Sequence, residues 1–169
     1  MNLKWIGAVL VIAGCGGFGC SIAASYRAEQ RMLRQLQRGL EAMRWELQYR
    51  LTPLPELCRL AGKETGGALG TVFGKLARAL DRQVEPDAAG CMRHAMRDAG
   101  LSPVLRRLLL QLGRSLGRYD LAGQLQGIQA VEQACRTEEE KLEKDRALRL
   151  RSYRALSLCA GAALVILFI

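Results

Sequence analysis

The sequence predicts an all-α fold, an antiparallel bundle of about six helices whose first and last helices extend into membrane anchors. Three observations carry that prediction. Between Arg27 and Arg154 there are 23 leucines and only nine β-branched residues, a bias toward helix formers and away from strand formers. No stretch of that region alternates polar with apolar side chains over a strand's length. Charge is also segregated: all 16 acidic residues and 24 of the 25 basic ones lie in the middle, and the flanks are apolar and small.

A chain of 169 residues has room for one ordinary domain, and a net charge of +9 is unusual for one that is half hydrophobic. The segregation divides it into a transmembrane helix at 1–26, a helical bundle at 27–154 and a second transmembrane helix at 155–169. Trp5 to Ser25 is uncharged over 21 residues, enough at about 1.5 Å per residue to cross a ~30 Å hydrocarbon core. Ala155 to Ile169 supplies 15 uncharged residues, so Arg151 and Arg154 would snorkel to extend it.

Basic residues orient the spans. Arg27, Arg31, Arg34 and Arg38 follow the first, and Arg146, Arg149, Arg151 and Arg154 precede the second. The positive-inside rule therefore holds the middle in the cytoplasm and puts both termini across the membrane. The same arginines suit anionic lipid headgroups, at about 1 kcal/mol each. Ile12-Ala13-Gly14-Cys15 also fits a lipoprotein cleavage site, and the alternative reading is an exported binding module lipidated at Cys15. The uncharged run continues past Cys15 to Ala24, as a membrane helix would and a cleaved signal would not. Small residues recur every four positions in both spans (Ala13, Gly17, Ser21, Ser25; Ala155, Cys159, Ala163), which permits close helix contact in lipid and leaves a homo-oligomer open.

Within the middle, Leu33, Leu36, Leu40, Met43, Leu47 and Leu51 form the stripe of a first helix that Thr52-Pro53 stops. Thr52 can cap a second helix with Pro53 in its first turn, reaching about Leu60. A loop around Gly62 to Gly67 precedes a third helix marked by Leu69, Val72, Phe73, Leu76 and Leu80, broken near Glu85-Pro86. Cys91, Met92, Ala95, Met96 and Ala99 mark a fourth, ended by Gly100. Ser102-Pro103 opens a fifth with Leu105, Leu108, Leu109, Leu112 and Leu116, closed by Gly117. Asp120 caps a sixth, with Leu121, Leu125, Ile128, Cys135 and Leu142 inward, running into the second span.

Chemistry-bearing motifs are scarce. Gly62, Gly66, Gly70 and Gly74 recur every fourth residue and read either as a loop with a tolerated glycine face or as a groove for a partner. Gly62-Lys63 and Gly74-Lys75 lack the glycine five residues before the pair and the Ser or Thr after it that a Walker loop needs. No CxxC pair exists, and one histidine cannot complete a zinc set, so no metal or cofactor is expected; Cys58, Cys91 and Cys135 read as small core hydrophobes. Glu64, His94 and Asp98 form no nucleophile, base and orienter set, so the chain does not read as an enzyme. Glu138-Glu139-Glu140 reads as a solvated face in helix-pair register with Lys141 and Lys144. The arginines are not interleaved with stacking aromatics, which argues against nucleic acid.

The chain resembles the stage III sporulation protein AB family over nearly its full length. The resemblance rests on the two terminal anchors, the segment Leu36 to Leu47 leading into Glu46-Leu47-Gln48-Tyr49 and Thr52-Pro53-Leu54-Pro55-Glu56, and Gly113-Arg114-Ser115-Leu116-Gly117-Arg118-Tyr119-Asp120. The Leu116-Gly117 pair followed by Asp120 is also similar to a helix junction in type II secretion and type IV pilus platform proteins. The resemblance implies a subunit of the channel complex between mother cell and forespore, in the mother-cell membrane around the forespore. Its implied partners are the complex's cytoplasmic ATPase and other membrane subunits. It makes Thr52, Pro53, Leu54, Leu116, Gly117 and Asp120 structural residues.

Overall fold

Leucine spacing and cap chemistry resolve the chain into six α-helices, with no strand among the described residues. The computed structural model describes the backbone of residues 2–117 and 120–168, and side chains over 25–117 and 120–145. The helices are α1 (Asn2–Tyr49), α2 (Leu54–Thr65), α3 (Gly67–Asp81), α4 (Ala88–Ala95), α5 (Pro103–Ser115) and α6 (Leu121–Phe168). Two helices of 48 residues bracket four short ones, as the sequence predicts.

The chain divides into two units, one of Met1–Gln30 with Glu140–Ile169 and one of Arg31–Glu139. In the first, Gln30 Nε2 on α1 donates to Glu143 Oε1 on α6 at 2.9 Å. Among the described residues no helix is long and apolar enough to cross a membrane. The segments read from sequence as anchors, 1–26 and 155–169, have side chains that lie outside the described residues except at positions 25 and 26; those of Arg146, Arg149, Arg151 and Arg154 lie outside as well. Arg27, Arg31, Arg34 and Arg38 are exposed.

The second unit holds the core. Leu33, Leu36, Leu40 and Met43 are fully buried and Leu47 nearly so, each aliphatic side chain contributing roughly 1.5–3 kcal/mol of transfer free energy. Leu51 departs from the predicted stripe. The helix ends at Tyr49, Leu51 takes a left-handed φ of 51°, and its side chain is 67% exposed. The predicted inward leucines of α5 are all buried, as are Ile128 and Cys135 on α6. Val131, not singled out from sequence, joins them, whereas Leu121 is exposed.

The glycine row behaves differently from the expected loop. α2 continues through Gly62 to Thr65, and the turn contracts to Gly66, at φ 63° and ψ −176°, before Gly67 at φ 53°. A Cβ on Gly70 would sit 2.7 Å from the Gly62 carbonyl oxygen, whereas one on Gly74 would meet nothing within 4 Å. The groove that the glycines make is thus occupied by the chain's own α2–α3 hairpin.

Helix ends show which cap signals operate. Ser102 Oγ accepts from Leu105 N at 3.3 Å, with Pro103 opening α5. α3 closes at Asp81, ahead of Glu85-Pro86, because Gln83 at φ 49° lets Val84 N reach the Ala79 carbonyl at 3.0 Å, a closure that satisfies orphan carbonyls. Asp87 caps α4 by accepting from Gly90 N at 2.8 Å, a signal not singled out from sequence.

The acidic run on α6 is a correction to the solvated-face reading. Glu138 pairs with Arg107 of α5 at 3.0 Å, and Glu139 with Arg34 of α1 at 2.5 Å and Gln37 at 3.4 Å. Farther along, Arg44 Nε of α1 lies 3.4 Å from Glu132 Oε1 of α6, and neither atom has a hydrogen-bond partner. Burial raises the Glu132 carboxyl above its ordinary 4.5, against the opposing field of Arg44. A raised pKa means the folded state favours the protonated acid. That stabilisation is complete below the unfolded value and is lost as pH rises through the folded one. Cys58, Cys91 and Cys135 are buried and unpaired, and burial pushes the Cys58 and Cys135 thiols up to about 12. They are packing groups, far from the thiolate that reactivity requires.

Two sets of variants check this packing by denaturation of the detergent-solubilised protein. Gly70→Ala loses about 1–3 kcal/mol through overpacking, while Gly74→Ala gains up to about 1 kcal/mol from helix propensity; equal effects would show that the hairpin is not closely packed. Arg44→Met strands a buried carboxylate and costs about 1–3 kcal/mol at neutral pH, a deficit that shrinks as pH falls through the raised Glu132 pKa. A pH-independent deficit would remove the electrostatic account.

Candidate interaction site at the helix junctions

The structural-motif residues singled out from sequence, Thr52, Pro53, Leu54, Leu116, Gly117 and Asp120, lie in the Arg31–Glu139 unit where α1 hands over to α2 and α5 to α6, and the eight membrane-flanking arginines are not part of that site. At the first junction Glu46 is the organiser. Its backbone carbonyl accepts from Arg50 N at 2.9 Å, and its carboxylate takes Thr52 Oγ1 at 2.9 Å and Arg50 Nη1 at 3.4 Å. Thr52 therefore ties the linker back to α1 and does not cap α2. Pro53 occupies the cap position itself, at φ −57° and ψ 144°, and its carbonyl accepts from Leu57 N at 3.0 Å; Leu54 and Pro55 form the first turn. The physical reason is register: with Pro53 at the cap position, Thr52 stands one residue before it, and its hydroxyl donates to the Glu46 carboxylate.

At the second junction Leu116 is buried in an extended conformation, its N–H bonded to the Leu112 carbonyl at 3.1 Å. Gly117 follows at φ 72°, a conformation that costs glycine least. Asp120 Oδ1 then accepts from Gly123 N at 3.0 Å, and its carbonyl accepts from Gln124 N at 3.0 Å. Residues 118 and 119 lie outside the described residues.

The two junctions meet. A Cβ on Gly117 would lie 3.3 Å from Leu54 Cδ2 and 4.0 Å from Ala88 Cβ. The motif residues Leu54 and Gly117, 63 positions apart in sequence, thus pack against each other, so each fixes the other's linker.

Beside them lies what the sequence reading missed. Trp45 and Tyr49 stack on the outer face of α1, with ring centroids 4.9 Å apart, and remain 60% and 64% exposed. Leu51 and Leu121 are the exposed apolar side chains at the same two junctions. The signal was available: an aromatic pair at i, i+4 lying off the leucine stripe must point away from the core. Exposed aromatics of this kind are enriched at protein contacts.

Among the described residues no group of His, Cys, Asp or Glu could hold a metal ion. His94 is exposed and lines a furrow with Asp98, and Glu64 is exposed on α2 and does not line it.

Comparison with known proteins supplies the rest. Residues 4–169 match the family described as stage III sporulation protein AB. A solved stage III sporulation protein AB superposes with a TM-score of 0.63 at 22% sequence identity, over 72% of this chain and 98% of that one, a likeness of fold. Among curated proteins none matches.

Asp120→Ala is expected to cost about 1 kcal/mol, and Asp120→Asn to restore most of it. An unchanged melting temperature for the alanine variant would remove the cap's role in holding α6 against the junction.

Proposed function

Because the chain belongs to the stage III sporulation protein AB family, we propose that this sporulation protein is a non-enzymatic, membrane-anchored scaffold in the channel complex between mother cell and forespore. Its helical bundle faces the mother-cell cytoplasm and couples the complex's cytoplasmic ATPase to the other membrane subunits. The anchors are the uncharged stretches of α1 and α6, Trp5 to Ser25 and Ala155 onward, seated in the mother-cell membrane around the forespore.

One observation carries the reading: the first 48-residue helix contains the uncharged run Trp5 to Ser25 and the last ends in the uncharged run from Ala155, and exposed arginines follow the first such stretch on α1. A helix of that length has about 70 Å of reach, far more than a bundle of 12- to 15-residue partners such as α2, α3 and α5 can cover. The surplus is the part assigned to lipid. The exposed Trp45–Tyr49 stack, at the end where α1 finishes and α6 begins, supports a protein contact there.

Reporter fusions test the topology. An enzyme active only outside the cytoplasm should work when fused to either Met1 or Ile169. One active only inside should work when inserted in the exposed turn at Gln83–Glu85. The reverse pattern would overturn the scaffold and favour the lipoprotein lipidated at Cys15.

A further inference from the structure

The charge excess is not confined to the arginines beside the anchors. Lys75 and Arg78 on α3 and Arg82 at its C-cap stand at i, i+3 and i+7, along one face. Arg93 and Arg97 follow one turn apart on α4 and just past it, and Arg106 comes from α5. Five of the six are exposed and Lys75 is half-buried. None has a carboxylate within ion-pair distance among the described residues, unlike Arg34, Arg44, Arg50, Arg59 and Arg107. Two open furrows run between them. One is lined by Lys75, Arg78, Arg82, Arg97 and Asp98 with Ala79 and the exposed Val84 between them; the other by Glu85, Arg93, Arg97 and Arg106 with Met96 and Leu110. They share His94 and Arg97, which makes them one continuous trough across α3, α4 and α5.

Helix-end electrostatics accounts for part of this. Arg78 and Arg93 lie in the last turns of α3 and α4, where cations complement the dipole. It does not account for Lys75 or Arg106, nor for holding six like charges together with no carboxylate in an ion pair, an arrangement that self-repulsion disfavours; Arg78 Nε donates only to the Gly74 carbonyl of its own helix, at 3.2 Å.

We infer that this trough is a docking site for an acidic amphipathic helix of a protein partner. The basic side chains fit carboxylates spaced along one helix flank, and the apolar ones between them fit that helix's aliphatic stripe. A bilayer surface is a poorer match. It presents a plane of phosphates, which matches cations lining two furrows on three helices less well than a rod of helix diameter does. Nucleic acid is poorer still, because no aromatic lines the trough for base stacking. The inference stands on the Arg31–Glu139 unit alone and holds whatever the anchors and the ATPase do.

The probe is a fluorescent synthetic helix with glutamates along one flank and leucines along the other, titrated into the full-length protein in neutral-lipid nanodiscs. Binding should weaken by roughly tenfold or more as salt rises and the charges are screened. Arg78→Glu with Arg97→Glu should weaken it by at least about tenfold, and so should Arg93→Glu with Arg106→Glu. Lys63→Glu with Arg136→Glu, equal in charge change and remote in sequence, should leave it within about twofold. A twin peptide with glutamine for glutamate should not bind. Equal losses in all three double variants, equal binding of the twin, or displacement of the peptide by phosphatidylserine nanodiscs would each overturn the proposal, the last in favour of lipid.

Discussion

The carboxylates of α6 decide how the bundle is put together. Glu132, Glu138 and Glu139 each meet an arginine from another helix: Arg44 and Arg34 on α1 and Arg107 on α5. Such pairs contribute little to stability when exposed, about 0–1 kcal/mol each. The leucine stripe and the α5 core supply the free energy. What the pairs supply is register: a slip of α6 by one turn would cost the three of them at once and take the buried Glu132 away from Arg44. Everything else in the unit follows from that register, including which end brings the two junctions together.

Much of this was legible in the chain. Leucines three and four apart predict the buried face of α1 through Leu47, and Ser102-Pro103 and Asp120 predict two helix starts, because those signals are local and their acceptors lie within three residues. Three features were not legible, and the last two have a non-local cause. Thr52 does not cap because Pro53 takes the cap position and the Thr52 hydroxyl donates to Glu46. The Gly62–Gly67 loop is mostly helix because Gly62 has Gly70 opposite it, a contact that only the hairpin creates. Glu138 and Glu139 are clamps because α1 and α5 pass within reach, which spacing along α6 alone does not reveal. The Leu54–Gly117 contact likewise belongs to the fold.

Function follows from the contrast between surfaces. One end of the Arg31–Glu139 unit shows stacked aromatics and aliphatics with packed junctions beneath them, suited to a dry protein contact. The trough across α3, α4 and α5 shows cations with apolar side chains between them, suited to an acidic helix. Charge is unequally shared: the α6 carboxylates are paired with arginines of α1 and α5, and the cations beside α3 and α4 have no carboxylate in an ion pair. Its buried thiols and exposed histidine add no reactive centre to that picture.

The register of α1 against α6 is tested most directly by electron spin resonance distance measurement on the full-length protein, with nitroxides at Glu41 and Arg136 and, separately, at Gln48 and Gln129. Cys15, Cys20 and Cys159 would be replaced, and the buried cysteines left in place. Antiparallel helices packed at 8–10 Å give both pairs the same short separation, within about 20 Å once the label arms are included. Separations that differ between the pairs by more than about 10 Å, or that centre beyond about 30 Å, would contradict the arrangement on which the account rests.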